Sequence, residues 1–223
     1  MTTSLTIRLK QACRWGLIGA LTVGYAVLSH LTATATTHTL SGALVAVTPM
    51  LVLAFLMAWH SARRVLMLAL WLAGFTLLYN TRDWLIAHYN WVFLLEHAGT
   101  YLLLCATFGL TLRRGETPMV SRFARIVHGT LSPMQVRYTR SATWAWTLYF
   151  SAIAGISLLL FWLAPIEVWS GFAYLLGIPL LILMFAGEYA VRWCVLPAAD
   201  RAGPFDAIRA YRQASSDNPG YRP

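Results

Sequence analysis

WVFLLEHAGTYLLLCATFGLTL (residues 91–112) is an apolar run, and after an arginine-rich stretch RYTRSATWAW (residues 137–146) leads into the next one. About 20 mostly apolar residues cross a hydrocarbon core of roughly 30 Å, so the first run predicts a membrane helix. Glu96 and His97 are its only acidic or basic side chains. The arginines between the two runs indicate a basic loop at the membrane surface.

The composition excludes an ordinary soluble domain. Hydrophobic residues make up 58% of the chain and charged residues 11%, whereas a soluble domain has about 25% charged residues. The net charge of +9 comes from arginine, since Lys10 is the only lysine. Because the arginines flank apolar spans, this charge follows the positive-inside rule and does not indicate a nucleic-acid partner.

The other apolar runs extend the pattern to an all-α bundle of six membrane helices. A basic segment, residues 1–14, precedes the membrane domain, residues 15–193, and a cytoplasmic tail, residues 194–223, follows it. The predicted spans are 15–35, 40–59, 65–79, 86–112, 143–164 and 169–193, with a cytoplasmic loop at 113–141. The third span is short for a full crossing.

The orientation follows from the positions of lysine and arginine. Sixteen of them fall on the side of the N-terminus, the loop and the C-terminus, and Arg82 alone falls on the other side. Cytoplasmic segments carry the excess of positive charge, so both termini are predicted to be cytoplasmic. Within the loop, SRFARIV (residues 121–127) has the pattern of a helix lying on the membrane surface.

Known site patterns do not occur in the sequence. Cys13, Cys105 and Cys194 are widely spaced, and they predict neither a disulfide framework nor a zinc site. No hydrolase, Walker, metalloprotease or acyltransferase motif occurs. We therefore expect no metal and no cofactor, and a non-enzymatic role is favoured over an enzymatic one.

Three residues are candidates for catalysis: Glu96, His97 and His128. A carboxylate within the membrane is costly unless it is paired, protonated or facing water. One interpretation is a contact between helices, such as Glu96 with Arg82, and the other is a role in binding substrate or protons. His128 lies in the loop and can titrate near neutrality.

The loop and the start of the fifth span are the candidate binding region. Arginine binds phosphate in a bidentate manner, tyrosine favours the interface, and hydroxyl groups add donors. The candidate residues are Arg113, Arg114, Arg122, Arg125, Arg137, Tyr138, Arg140 and Thr143. They form either a cradle for a lipid phosphate or a phosphopantetheine arm, or an ordinary positive membrane boundary. Glu188 and Arg192 have the spacing of an ion pair within one helix.

The motifs FGxTL, RGxTP, RFAxxxHG, YTRxxTxxW and a terminal EYxxR occur between Trp91 and Arg192. This region resembles the polytopic inner-membrane proteins encoded in bacterial aryl-polyene and xanthomonadin-type pigment clusters. It departs from their pattern at Leu110, where they have arginine, and at Glu96, where they have glutamine. The resemblance implies a bacterial inner-membrane location and association with an assembly that handles polyene chains on an acyl carrier protein. It assigns no catalytic residue.

Three hypotheses follow. The first is an accessory membrane protein of polyene or acyl-lipid biosynthesis that binds acyl-carrier or lipid intermediates at the basic loop. Its expected partners are membrane lipids, an acyl carrier protein and other membrane subunits of the assembly. The second is a membrane-embedded acyl or glycosyl transferase that uses Glu96, His97 or His128. The third is a small lipid transporter that uses Glu96, although the sequence lacks the repeats common in transporters.

Overall fold

The computed structural model describes residues 2–37 and 39–197, with the backbone alone for residues 2–12 and 128. Every regular element in this part of the chain is a helix, which confirms the all-α prediction. The tail predicted at 194–223 lies outside the described residues from residue 198 onward. The helices are α1 (Thr2–Ala33), α2 (Leu40–His60), α3 (Arg64–Asn80), α4 (Arg82–Leu110), α5 (Met119–His128), α6 (Pro133–Leu163), α7 (Ile166–Ser170), a π-helix (Gly171–Leu176) and α8 (Gly177–Val195).

Five segments are long and apolar enough to cross a membrane, as a multi-span protein requires. They are Cys13–Ala33, Leu40–His60, Arg82–Leu110, Pro133–Leu163 and Ile166–Val195. The third predicted span corresponds to α3, which is apolar but has only 17 residues. The predicted N-terminal segment is not a separate element, because α1 begins at Thr2.

The chain divides into two compact units. The first comprises Met1–His97 with Ser157–Ile178, and the second comprises Ala98–Ile156 with Pro179–Pro223, each as far as the structure describes it.

In the first unit, α2 and α3 pack side by side. The Trp71 indole Nε1 donates a hydrogen bond to the Leu51 carbonyl oxygen at 3.0 Å, and the Trp71 ring lies 5.4 Å from the Phe55 ring. At the other end of α2, a Cβ atom added at Gly42 would lie 3.0 Å from the Tyr89 ring. Tyr89 itself is fully buried, so glycine permits this close approach of the helices.

Two helices of this unit are irregular. α4 has a kink at His88, whose backbone angles are not helical. In the sixth predicted span, the sequence Gly177-Ile178-Pro179 predicts a kink. The structure places the irregularity just before it, in the π-helix. Proline at position 179 has no N–H to donate to the carbonyl oxygen four residues before it, which lies in that π-helix.

In the second unit, α5 packs on α6 through polar contacts. The hydroxyl groups of Ser121 and Thr139 lie 2.6 Å apart, and the Val120 backbone N–H donates to the Thr143 hydroxyl at 3.2 Å. Phe123 and Ile126 remain 55% and 57% exposed. The predicted helix in SRFARIV is therefore confirmed, and it leaves its larger apolar side chains uncovered.

Candidate functional site: a groove between α6 and α8

The structure places four of the eight predicted binding residues, Arg137, Tyr138, Arg140 and Thr143, on α6. α6 begins at Pro133, ten residues before the predicted start of the fifth span. The Gln135 backbone N–H donates to the Ser132 hydroxyl at 3.2 Å, and the Ser132 N–H donates to the Gln135 side-chain oxygen at 2.8 Å. This reciprocal pair is a capping box, with proline at the favoured first helical position. The loop prediction missed this signal, which is present in the sequence SPMQ.

A groove lies between α6 and α8 within the second unit. Its volume is about 910 Å³, which is within the range of roughly 300–1,000 Å³ seen in small-molecule sites. The lining residues recur at helical spacing on the facing sides of the two helices. They are Met134, Arg137, Tyr138, Ser141, Ala142, Ala145, Tyr149, Ile153, Leu180, Leu183, Met184, Gly187, Glu188, Val191 and Val195.

The groove is apolar along most of its length because both helices contribute aliphatic or small side chains. Ala145 and Gly187 are small residues that leave space in the groove. A Cβ atom added at Gly187 would meet no atom within 4 Å. Neither residue was a candidate in the sequence. Small residues on the facing sides of two helices were the available signal, but the same signal is usual in ordinary helix packing.

A hydrogen-bonded network joins α6 to α8 at one end of the groove. The buried Tyr138 hydroxyl donates to Glu188 Oε1 at 2.5 Å. Arg192 Nη2 lies 2.9 Å from both Glu188 carboxylate oxygens, so the structure contains the ion pair that the spacing predicted. Glu188 is only 8% exposed at its side chain. The network fixes this end of the groove and satisfies a carboxylate that would be costly to bury alone.

Arg137 lines the same end of the groove but does not join the network. Its side chain is exposed and makes no hydrogen bond or ion pair with any described residue. A guanidinium group offers five donors in a planar fork that suits a phosphate or carboxylate. Arg137 is therefore the charged group of this groove that remains available to a ligand.

The other predicted binding residues have different surroundings. Arg122 pairs with Glu116 at 3.1 Å, and Arg125 Nη1 lies 3.5 Å from the Thr117 hydroxyl. Arg113 and Arg114 are exposed and do not line the groove.

Two further candidates have structural contacts. Arg140 Nη2 donates to the Leu112 carbonyl oxygen at 3.0 Å, just beyond the end of α4. Thr143 is fully buried, and its hydroxyl donates to the Thr139 carbonyl oxygen at 2.7 Å. These hydrogen bonds occupy the Arg140 guanidinium and the Thr143 hydroxyl, the groups that were predicted to bind a ligand.

The catalytic candidates Glu96 and His97 lie in the first unit. The Tyr25 hydroxyl donates to Glu96 Oε2 at 3.1 Å, and His97 Nδ1 lies 2.9 Å from the buried Ser157 hydroxyl. The predicted contact of Glu96 with Arg82 is wrong, because Arg82 is on the same helix, 14 residues and about 21 Å away. Arg82 instead contacts its neighbour Asp83 at 3.7 Å.

His128 closes α5, and its side chain lies outside the described part of the structure. Within the described residues, no group of three or more His, Cys, Asp or Glu side chains could hold a metal ion. The groove of the second unit is thus the site with the most complete set of features for a ligand.

Comparison of the chain with protein-family models, with curated proteins and with solved structures finds no match. Any function therefore has to be argued from the residues themselves.

Proposed function

We propose that this chain is an accessory inner-membrane protein that binds an acyl lipid, or an acyl intermediate on a carrier, in the groove between α6 and α8. The observation that carries the proposal is an exposed arginine, Arg137, that has no partner among the described residues and lies at one end of a long apolar groove. An acyl chain fits the apolar walls, and the phosphate of a headgroup or of a phosphopantetheine arm fits the guanidinium fork.

The two parts of the groove contribute differently to binding. Lipid tails are as apolar as the groove, so moving an acyl chain from the bilayer into it gains little hydrophobic energy. Selectivity must then come from shape and from the anionic group on Arg137. A hydrogen bond to a charged group contributes about 1.5–3 kcal/mol, which is enough to favour one class of lipid over the bulk membrane.

The topology that we propose has six spans and cytoplasmic termini. It requires α3 to cross, and its 17 residues measure about 26 Å at 1.5 Å per residue. Arg64 at one end and Arg82 just past the other can extend to the polar interface. The packing of α3 on α2 supports a helical hairpin, and the 16 to 1 division of positive charge supports the orientation. Arg137, near the start of α6, is then cytoplasmic.

A cytoplasmic Arg137 is accessible to soluble carrier proteins. The resemblance to proteins of pigment clusters suggests that the acyl chain is a polyene, and that the protein works with other membrane subunits of a biosynthetic assembly.

The test is photo-crosslinking of the purified protein in nanodiscs with a diazirine-bearing acyl phosphate lipid. We expect crosslinks on groove residues such as Ala145 and Leu183. Gly187→Leu fills the open groove and should abolish them, whereas Gly155→Leu, which also has open space around it but does not line the groove, should not. Equal crosslinking of the two variants would refute binding in the groove.

The charged contact is tested separately with the same probe and its uncharged analogue. Arg137→Ala should weaken labelling by the acyl phosphate about 10-fold, which corresponds to one charge-assisted hydrogen bond. Arg114→Ala is the matched control, because Arg114 is exposed but lies outside the groove. If the uncharged analogue labels as strongly as the phosphate, Arg137 does not select the headgroup.

A further inference from the structure

A separate polar cluster lies among the apolar helices of the first unit, and the proposed function does not use it. The Tyr25 hydroxyl of α1 donates to Glu96 Oε2 of α4 at 3.1 Å. The second phenol is Tyr174 in the π-helix, whose ring centre lies 6.5 Å from that of Tyr25. The Tyr174 hydroxyl is buried and has no hydrogen-bond partner in the described part of the chain.

This cluster lies deep along both helices. Tyr25 is eight residues from the Ala33 end of α1, and Glu96 is eight residues from the kink at His88. Each distance is about 12 Å at 1.5 Å per residue, compared with a half-thickness of about 15 Å for the hydrocarbon core. An ionisable group at such a depth is rare, and it commonly marks a pathway or a proton relay.

Tyr25 can accommodate Glu96 in either protonation state. A phenol donates to a carboxylate, and its oxygen can equally accept from a protonated carboxylic acid. An arginine or lysine partner would stabilise only the ionised form. The pairing seen here therefore allows Glu96 to gain or lose a proton without losing its hydrogen bond.

Further polar groups lie between this depth and the Ala33 end of α1. Ser29 follows Tyr25 by about one turn and is fully buried. His30 comes next, with its Nδ1 atom 2.9 Å from the Ser170 hydroxyl. Ser170 in turn donates to the Glu167 carbonyl oxygen near the start of α7. Two hydroxyl groups and one imidazole group thus occur within the six residues 25–30 of α1.

We infer that Glu96 is a proton-binding site within the membrane, reached from the Ala33 end of α1 along Tyr25, Ser29 and His30. Proton uptake forms one O–H bond on the Glu96 carboxylate, and water at that end of α1 supplies the proton. The titratable groups around Glu96 are Tyr25 from α1, Tyr174 from the π-helix and His97 on α4 itself. This inference does not depend on a ligand in the groove.

The test uses dicyclohexylcarbodiimide, an apolar reagent that modifies protonated carboxyl groups. The acid proton moves to a carbodiimide nitrogen while the carboxyl oxygen bonds to the central carbon, so an ionised carboxylate does not react. Full-length protein in nanodiscs is treated across a pH series, and each Glu-containing peptide is quantified by mass spectrometry. Glu116, which is exposed and paired with Arg122, serves as the internal control.

We expect an adduct on the Glu96 peptide, with a yield that falls as the pH rises, and little adduct on the Glu116 peptide. Glu96→Gln should lose the adduct, and Tyr25→Phe should shift the pH midpoint of modification while the protein still elutes as a single species. No adduct on Glu96 at any pH in the wild-type protein would overturn the inference. A yield that does not depend on pH would also overturn it, and neither result relies on the folding of a variant.

Discussion

Arg192→Ala tests the network that closes one end of the groove. Its guanidinium makes three hydrogen bonds to the Glu188 carboxylate, at 2.9, 2.9 and 3.3 Å. Without it, the Glu188 carboxylate would keep the Tyr138 hydroxyl as a donor but lose its positive partner. We expect the variant to unfold at a lower concentration of denaturing detergent than the wild type.

The size of the effect follows from burial. Removing one partner of a fully buried ion pair costs about 3–5 kcal/mol. Here the Glu188 side chain is 8% exposed and the Arg192 side chain 24% exposed, so we expect a somewhat smaller loss of about 2–4 kcal/mol. Arg122→Ala is the control, since its pair with Glu116 is 47% and 56% exposed, and it should lose no more than about 1 kcal/mol.

The assay is a double-mutant cycle with Glu188→Gln, measured by reversible unfolding in mixed micelles of increasing dodecyl sulfate content. The neutral amide in Glu188→Gln can still accept a hydrogen bond from the Tyr138 hydroxyl. It carries no negative charge that Arg192 would have to compensate. Arg192→Ala should therefore cost about 2 kcal/mol less in the Glu188→Gln background than in the wild type. If the two costs agree within about 0.5 kcal/mol, the residues are not coupled and the reasoning is refuted.

Two further predictions concern the packing of each unit. A methyl group at Gly42 would lie 2.9–3.0 Å from neighbouring side chains, so Gly42→Ala should lower the free energy of unfolding by about 1–3 kcal/mol through overpacking. Gly155→Ala, with open space around it, should raise that free energy by up to about 1 kcal/mol. Equal stabilities of the two variants in the same detergent titration would contradict the close approach at Gly42. Arg140→Ala should lose about 1–2 kcal/mol with its hydrogen bond to the Leu112 carbonyl oxygen, yet leave lipid crosslinking unchanged, and the opposite pattern would make Arg140 a ligand-binding residue.

The long apolar helices were readable from the sequence because the membrane imposes a simple rule. Backbone polar groups in lipid must bond internally, so long apolar segments such as 91–112 become helices in almost any context. The ion pair of Glu188 with Arg192 was predictable for a similar reason, since it depends only on neighbouring turns of one helix.

Several local features were missed although their signals were present. The start of α6 at Pro133 follows from a capping box that was interpreted as a loop. The predicted kink near Pro179 was displaced into the π-helix, because a helix can take up a missing hydrogen bond in the turn before the proline.

The sequence by itself determined that the chain forms apolar helices, several of them long enough to cross a membrane. Only the tertiary structure decided which polar side chains meet. Tyr25 and Glu96 are 71 positions apart, and Tyr138 and Glu188 are 50 positions apart. In an apolar bundle, helical periodicity fixes the face on which each side chain lies, but the partner across the interface depends on how the helices pack. The same packing left Arg137 without a partner in the described part of the chain, while it engaged Arg140.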